Sequence, residues 1–249
     1  MVFDHIHQIF IKRDMPLRLT MLGRPVMPIF LFMLAEGMHY THSRKNYLLL
    51  LLGGSVLMTV ASSLITAFFP IPYLFEGMEQ VLMLTNNVFA TLFIAGVYII
   101  AWDVLKEGFQ KQSVKKILAS IGIGFLPILS YLPMIILPQL VMSGTLLPSW
   151  VITTALAIPS IFSVEGGPVM VLLAVLFYIF RKQRLRQVAL LALISICTYF
   201  LSDSVQRMMI FAVIPLLMYN GQKGKGWKYF FYVFYPAHIF LLYFIAYFM

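Results

Sequence analysis

A chain of 249 residues that is 61% hydrophobic and only 11% charged cannot cover itself with a water-facing surface, because soluble domains carry roughly 25% charged residues. Mean hydropathy is +0.91, the formal net charge is +9, and most of the basic residues cluster in short stretches between apolar runs. That distribution belongs to a protein of the lipid bilayer and excludes a nucleic-acid binder. The single cysteine, Cys197, lies inside an apolar run, which excludes intrachain disulfides and thiolate zinc sites, and no metal is expected.

In chain order, apolar runs predict helices over 2–13, 22–38, 47–69, 81–102, 117–141, 168–180, 188–202, 207–220 and 229–248. A run of about 20 residues crosses a hydrocarbon core of about 30 Å as a helix. Barrel strands would alternate in polarity, whereas these runs are apolar on all sides. The fold class is therefore all-α, a polytopic transmembrane helical bundle of about nine or ten spans. The first run is too short to cross at about 1.5 Å per residue, so helix one reads as truncated. It carries Asp4, His5 and His7 with no small-residue cleavage site after it, which argues against a cleavable signal peptide. The stretch 148–163, bounded by Pro148 and Ser163 and interrupted by Pro159, is either a tenth span or a re-entrant segment packed against protein. With no internal repeat and no soluble insert, residues 1–249 read as one transmembrane domain.

Charge placement favours re-entrance. Connector 39–46 carries Arg44 and Lys45, 103–116 carries Lys106, Lys111, Lys115 and Lys116, 181–187 carries Arg181, Lys182, Arg184 and Arg186, and 221–228 carries Lys223, Lys225 and Lys228. All four share one face only if 148–163 turns back on itself. The positive-inside rule makes that face cytoplasmic. Opposite connectors hold Glu76, Glu79, Glu165 and Asp203. Lys12, Arg13, Arg18 and Arg24 break the pattern; either the topology differs near the start or these cations serve something other than orientation.

Ionisable groups inside a span are costly and mark candidate function. Asp4, His5, Gln8 and Lys12 share one side of helix one at about 100° per residue, with His7 just beyond. The stripe is either a general base, a histidine made more basic by a carboxylate, or a polar patch tying helix one to its neighbours. Arg24 opens helix two in Gly23-Arg24-Pro25-Val26-Met27-Pro28, where a guanidinium can grip a phosphate or carboxylate bidentately. Glu36 lies about 18 Å further along; for both residues the alternative is snorkelling to an interface. Asn86 and Asn87 fall in the first third of a span, where amides hydrogen-bond to other helices. Glu165-Gly166-Gly167 precedes a helix and either lines a site or caps that helix. Asp203 and Arg207 read as an interfacial pair. His238, after Pro236, falls near mid-bilayer and needs a partner, while the aromatic run 229–235 reads as an interfacial belt.

The ordered set Asp4-His5-Ile6, Gly23-Arg24-Pro25-Val26-Met27-Pro28-Ile29-Phe30, Glu36-Gly37, Asn86-Asn87, Glu165-Gly166-Gly167, Tyr219-Asn220-Gly221 and Lys228 to His238 resembles the TraX family, named for a conjugative pilin N-acetylase. The stretches 23–37 and 219–243 carry most of the likeness. It departs from the family in three places. The family has a longer apolar lead before the Asp-His pair, tends to Gly-Arg-x-Ala-Phe-Pro in helix two, and often shows Asp-Tyr-Gly where this chain has Glu165-Gly166-Gly167.

The resemblance implies a multi-pass acyltransferase of the bacterial cytoplasmic membrane that uses acetyl-CoA as co-substrate and a protein or glycan acceptor. In that scheme the basic connectors, through Arg44, Lys45, Arg181, Lys182 and Arg184, attract the CoA phosphates. His5 takes a proton from an acceptor amine or hydroxyl, positioned by Asp4 or Glu36, and His238 is the reserve base. Arg24 holds an anionic part of either substrate, and Asn86, Asn87 and Glu165 complete the binding residues. Transfer is either direct or through an acyl-histidine. The rival expectations are a proton-coupled transporter or flippase and a non-catalytic scaffold of an envelope or conjugation complex.

Overall fold

The computed structural model describes residues 1–10, 16–75, 77–201, 205–222 and 228–249. Their secondary structure is almost entirely helical. The helices are α1 (Val2–Ile9), α2 (Arg18–Gly23), α3 (Val26–Tyr40), α4 (Arg44–Phe68), α5 (Val88–Gln110), α6 (Val114–Leu129), α7 (Leu132–Met142), α8 (Ser149–Ala157), α9 (Gly167–Ile179), α10 (Arg184–Leu201), α11 (Val213–Met218) and α12 (Lys228–Phe248). A 3-10 segment, Val205–Ala212, leads into α11.

Six helical stretches among the described residues are long and apolar enough to cross a membrane: Arg18–Tyr40, Arg44–Phe68, Val88–Gln110, Val114–Met142, Arg184–Leu201 and Tyr229–Phe248. The first joins α2 to α3 and the fourth joins α6 to α7. Of the other expected runs, 168–180 and 207–220 form shorter apolar helices, Gly167–Ile179 and Val205–Met218. The run at 2–13 forms α1 as far as Ile9, and Lys12 and Arg13 lie outside the described residues. Leu118, Phe125, Leu126 and Leu193 are each more than half exposed, the outward apolar face that lipid stabilises and water would not. The protein is a multi-pass, all-α membrane protein.

The chain divides into two compact units, one comprising 1–30, 61–84 and 182–249, the other 31–60 and 85–181. In the first, Ile9, Met209, Leu216, Tyr235, Ile239 and Tyr243 are buried, and the Tyr243 hydroxyl donates to the Phe69 carbonyl at 2.9 Å. This unit also holds the antiparallel hairpin β1 (Pro72–Phe75) and β2 (Met78–Val81), turning through Gly77 at φ +80°.

In the second unit, Leu31, Leu34, Ala35, Met38, Ile94, Leu173 and Phe177 form the core, with the Phe32 ring edge-on to Phe177 at 6.1 Å. The helix expected from residue 81 starts at Val88. The Asn87 side chain accepts from the Ala90 amide at 3.2 Å, an N-cap that satisfies a donor the first turn leaves unpaired. The Asn pair therefore stands at a helix entrance, not inside a span.

The stretch 148–163 contains one short helix. α8 has nine residues, covering about 14 Å, too little to cross. The chain then folds back onto α6, where the Ile161 amide donates to the Pro127 carbonyl at 3.1 Å and Ser130 Oγ to the Pro159 carbonyl at 2.8 Å. Pro127 interrupts α6, and Ser160 is fully buried.

Candidate functional site in the first unit

The close approach of α1 and α2 sets the geometry. Gly23 is buried against α1, and a Cβ built there would stand 2.5 Å from Asp4 Cβ. Any side chain at 23 would push the helices apart, which gives the glycine of Gly23-Arg24 a steric reason. Next to it, Arg24 Nη2 donates to Asp4 Oδ1 at 3.0 Å and Nη1 to Gln206 Oε1 at 3.2 Å. The guanidinium is thus held at both terminal nitrogens, with side-chain exposure of 27% for Arg24 and 16% for Asp4. Charge-assisted bonds of this kind fix orientation as well as adding energy.

His5 is buried at 3% exposure. Its Nδ1 lies 2.8 Å from His238 Nε2, and His238 Nδ1 lies 2.7 Å from the Phe234 carbonyl oxygen. A carbonyl only accepts, so His238 carries its proton on Nδ1 and presents a lone pair at Nε2. The bond between the rings is then donated by His5 Nδ1. In that neutral arrangement, assigned from the network, the lone pair of His5 resides on Nε2. A carbonyl, a histidine and a second histidine form a relay that leaves one basic nitrogen. The Tyr235 ring meets His5 edge-on at 6.0 Å and the Phe234 ring stacks on His238 at 4.9 Å, packing that restricts both imidazoles.

Four of the expected residues, Asp4, His5, Arg24 and His238, thus belong to one constellation, with the partners rearranged. Asp4 bonds Arg24, and the group that orients His5 is His238, expected only as a reserve base. Gln206 and Tyr235 complete the surroundings; an amide in an amphipathic stretch and an aromatic in a belt gave no sign of this. The Asp203 half of the expected Asp203–Arg207 pair lies outside the described residues. Among the described residues no three His, Cys, Asp or Glu side chains converge as metal ligands would.

Lys182 and Arg184 also belong to this unit. Lys182 is exposed. Arg184 Nη1 donates to Gln187 Oε1 at 2.8 Å, and its guanidinium lies 5.0 Å from the Tyr219 ring centroid. The Tyr219-Asn220-Gly221 motif therefore helps to hold this cation.

The second unit holds the remaining expected residues. Glu36 is buried on α3. Glu165 Oε1 accepts from the Asn87 amide at 2.7 Å, and the Asn87 side-chain amide donates to the Ser55 carbonyl at 3.0 Å and to Thr59 Oγ1 at 3.0 Å. Glu165 thus supports the start of α5 and not the helix it precedes, since α9 has Gly166 at its N-cap and no side-chain cap hydrogen bond. Asn86 is half-buried beside it in sequence. On the basic side, Arg44 Nη1 donates to Asp103 Oδ2 at 2.5 Å, Nη2 to Tyr178 Oη at 2.8 Å and Nε to the Met38 carbonyl at 2.9 Å, while Tyr178 Oη donates to the same Asp103 oxygen at 2.6 Å. That network ties α4, α5 and α9 together and engages Arg44 internally, whereas Lys45 is exposed and Arg181 half-exposed. Asp103 and Tyr178 were not singled out in the sequence, because nothing local marks them as partners of a residue 59 or 134 positions away.

Fold and site together define a multi-pass membrane protein with a histidine relay and an arginine–carboxylate pair inside a helical unit. The chain belongs to the TraX protein family, whose model matches residues 1–246. No curated protein and no solved structure gives a significant match.

Proposed function

We propose that the protein is an acetyl-CoA-dependent acetyltransferase of the bacterial cytoplasmic membrane, acting on an amine or hydroxyl of a protein or glycan acceptor. One observation carries this reading: the Phe234 carbonyl–His238–His5 relay, with 2.7 and 2.8 Å links, which orients a buried imidazole as a base must be oriented. Family membership supports it independently.

For an amine acceptor the steps balance as follows. The nitrogen attacks the thioester carbonyl, His5 Nε2 takes the N–H proton, the C–N bond forms and the C–S bond breaks. CoA leaves as the thiol, receiving that proton. His238 stabilises the imidazolium by accepting from His5 Nδ1–H, and Asp4 and Gln206 hold Arg24 beside the site. Exposed Lys182 and half-exposed Arg184, in the same unit as the relay, supply positive potential for the CoA phosphates, and Lys45 and Arg181 are basic residues of connectors on the face that charge placement makes cytoplasmic. Glu36, Asn86, Asn87, Glu165 and Arg44 serve the framework in this scheme.

Membrane vesicles from expressing cells test the reading. Inside-out vesicles given labelled acetyl-CoA incorporate label, and right-side-out vesicles do not. Incorporation that is equal in vesicles lacking the protein refutes it.

A further inference from the structure

Thr20 and Arg24 stand four residues apart, Thr20 in α2 and Arg24 at its C-cap with helical backbone angles of −60° and −35°. They therefore share one side of the helix. Gly23, pressed onto Asp4, shows that this end of α2 packs on α1, which carries His5. Thr20 is 4% exposed. Its Oγ1 and the Arg24 Nε are both buried and make no hydrogen bond among the described residues, although the two terminal nitrogens of Arg24 are engaged by Asp4 and Gln206. Buried polar atoms are nearly always paired in native proteins, and a catalytic role is one of the explanations an exception calls for. Two such atoms thus stand one helical turn apart in sequence, the second on a guanidinium whose terminal nitrogens are already engaged.

The charge balance says what it would take. Asp4 already neutralises Arg24, so the pair has no net charge with which to retain a standing anion such as a phosphate. A neutral carbonyl oxygen that gains negative charge during reaction suits it better, since donors aimed at developing charge act in the transition state.

Resting on the acetyltransferase reading above, we propose that Thr20 Oγ1–H and Arg24 Nε–H jointly donate to the carbonyl oxygen of the acyl thioester as the acceptor attacks. The oxygen takes the electron pair of the C=O bond while the C–N bond forms. It returns that pair as the C–S bond breaks, and the acceptor proton passes through His5 to the departing thiol. Thr20 is then a catalytic residue and Arg24 acts as a transition-state donor, not as a clamp on a pre-existing anion.

The test uses the full chain in nanodiscs, with acetyl-CoA and a short peptide bearing a free N-terminal amine, reading kcat, KM and thermal midpoint. Thr20→Val removes the hydroxyl at nearly constant volume. It should lower kcat about 100-fold while leaving KM for acetyl-CoA within about two-fold. Because it deletes a buried hydroxyl with no hydrogen bond among the described residues, the midpoint should hold or rise, and Thr20→Ser should restore turnover. A Thr20→Val protein with wild-type turnover overturns the donor pair and leaves the acetyltransferase reading standing. Loss of activity together with a fallen midpoint, unrescued by serine, also overturns the pair by assigning Thr20 a structural role. A wild-type protein inert toward acetyl-CoA overturns the broader reading and the pair with it.

Discussion

His5 and His238, 233 residues apart in the chain, face each other through a 2.8 Å hydrogen bond between Nδ1 and Nε2. The bond gives each histidine a separate duty: His5 offers a base, and His238 fixes the tautomer of that base by accepting its Nδ1 proton. Replacing either should therefore slow acetyl transfer, but not equally. His5→Ala removes the base and should cost roughly 10²–10⁴-fold in kcat. His238→Gln keeps an acceptor in reach of His5 Nδ1 and should cost less than His238→Ala. Steady-state kinetics of the three variants check the ranking, and a His238→Ala protein as active as His238→Gln would contradict it.

Gly23 is a steric requirement. Gly23→Ala places a methyl 2.5 Å from Asp4 Cβ, so α1 or α2 must move, at a cost of about 1–3 kcal/mol typical of overpacking. The expected outcome is a lowered thermal midpoint in detergent, with loss of activity, because the same movement misplaces Asp4, His5 and Arg24 together.

Arg44 is expected to matter for stability before it matters for CoA. Its three hydrogen bonds reach Asp103, Tyr178 and the Met38 carbonyl, and a lysine cannot reproduce that fork. Arg44→Lys should lower the midpoint while leaving KM for acetyl-CoA near the wild-type value. A raised KM with unchanged stability would return Arg44 to the binding role its place in a basic connector implies.

Asn87 should behave as a helix cap. Asn87→Ala should destabilise by about 1–2 kcal/mol, since it frees the Ala90 amide and loses the bonds to Ser55 and Thr59. Asn87→Asp retains the capping oxygen but places a second carboxylate beside Glu165, whose oxygen already receives the Asn87 amide. It should recover only part of the loss. Thermal midpoints of the two variants decide this.

Binding through the basic connectors predicts a salt dependence. Lys45 and Lys182 are exposed, and exposed charges separated by more than about 8 Å are screened at physiological ionic strength. Raising salt should increase KM for acetyl-CoA without lowering kcat, and Lys45→Glu with Lys182→Glu should steepen the loss of affinity. An unchanged KM across the salt range would remove these connectors from the binding scheme.

The membrane fold was legible because it rests on composition and on runs of some twenty apolar residues, both local properties. The start of α5 was not, because residues 81–84, Val81-Leu82-Met83-Leu84, are as apolar as a span. Only the pairing of β1 with β2 and the Asn87 cap delay the helix. In the site, Asp4, His5, Arg24 and His238 stood out as polar groups in costly places, which is a one-dimensional signal. Who pairs with whom is three-dimensional. Asp4 and His5 are neighbours in sequence, yet the carboxylate bonds Arg24 and the imidazole bonds His238, as adjacent helical residues do not face each other. Thr20 carried no signal at all, since a threonine among apolar residues is unremarked until its hydroxyl is seen buried without a hydrogen bond among the described residues.

The central claim is that His5 is the base of an acetyl transfer from CoA. Its most direct measurement is thiol release from acetyl-CoA by the full chain in nanodiscs, with a peptide amine as acceptor, for the wild type and His5→Gln. The account predicts acceptor-dependent thiol release by the wild type, with peptide acetylation in equal amount, and a loss of roughly 10²-fold or more in His5→Gln at an unchanged thermal midpoint. Equal thiol release and peptide acetylation by His5→Gln and the wild type would contradict it.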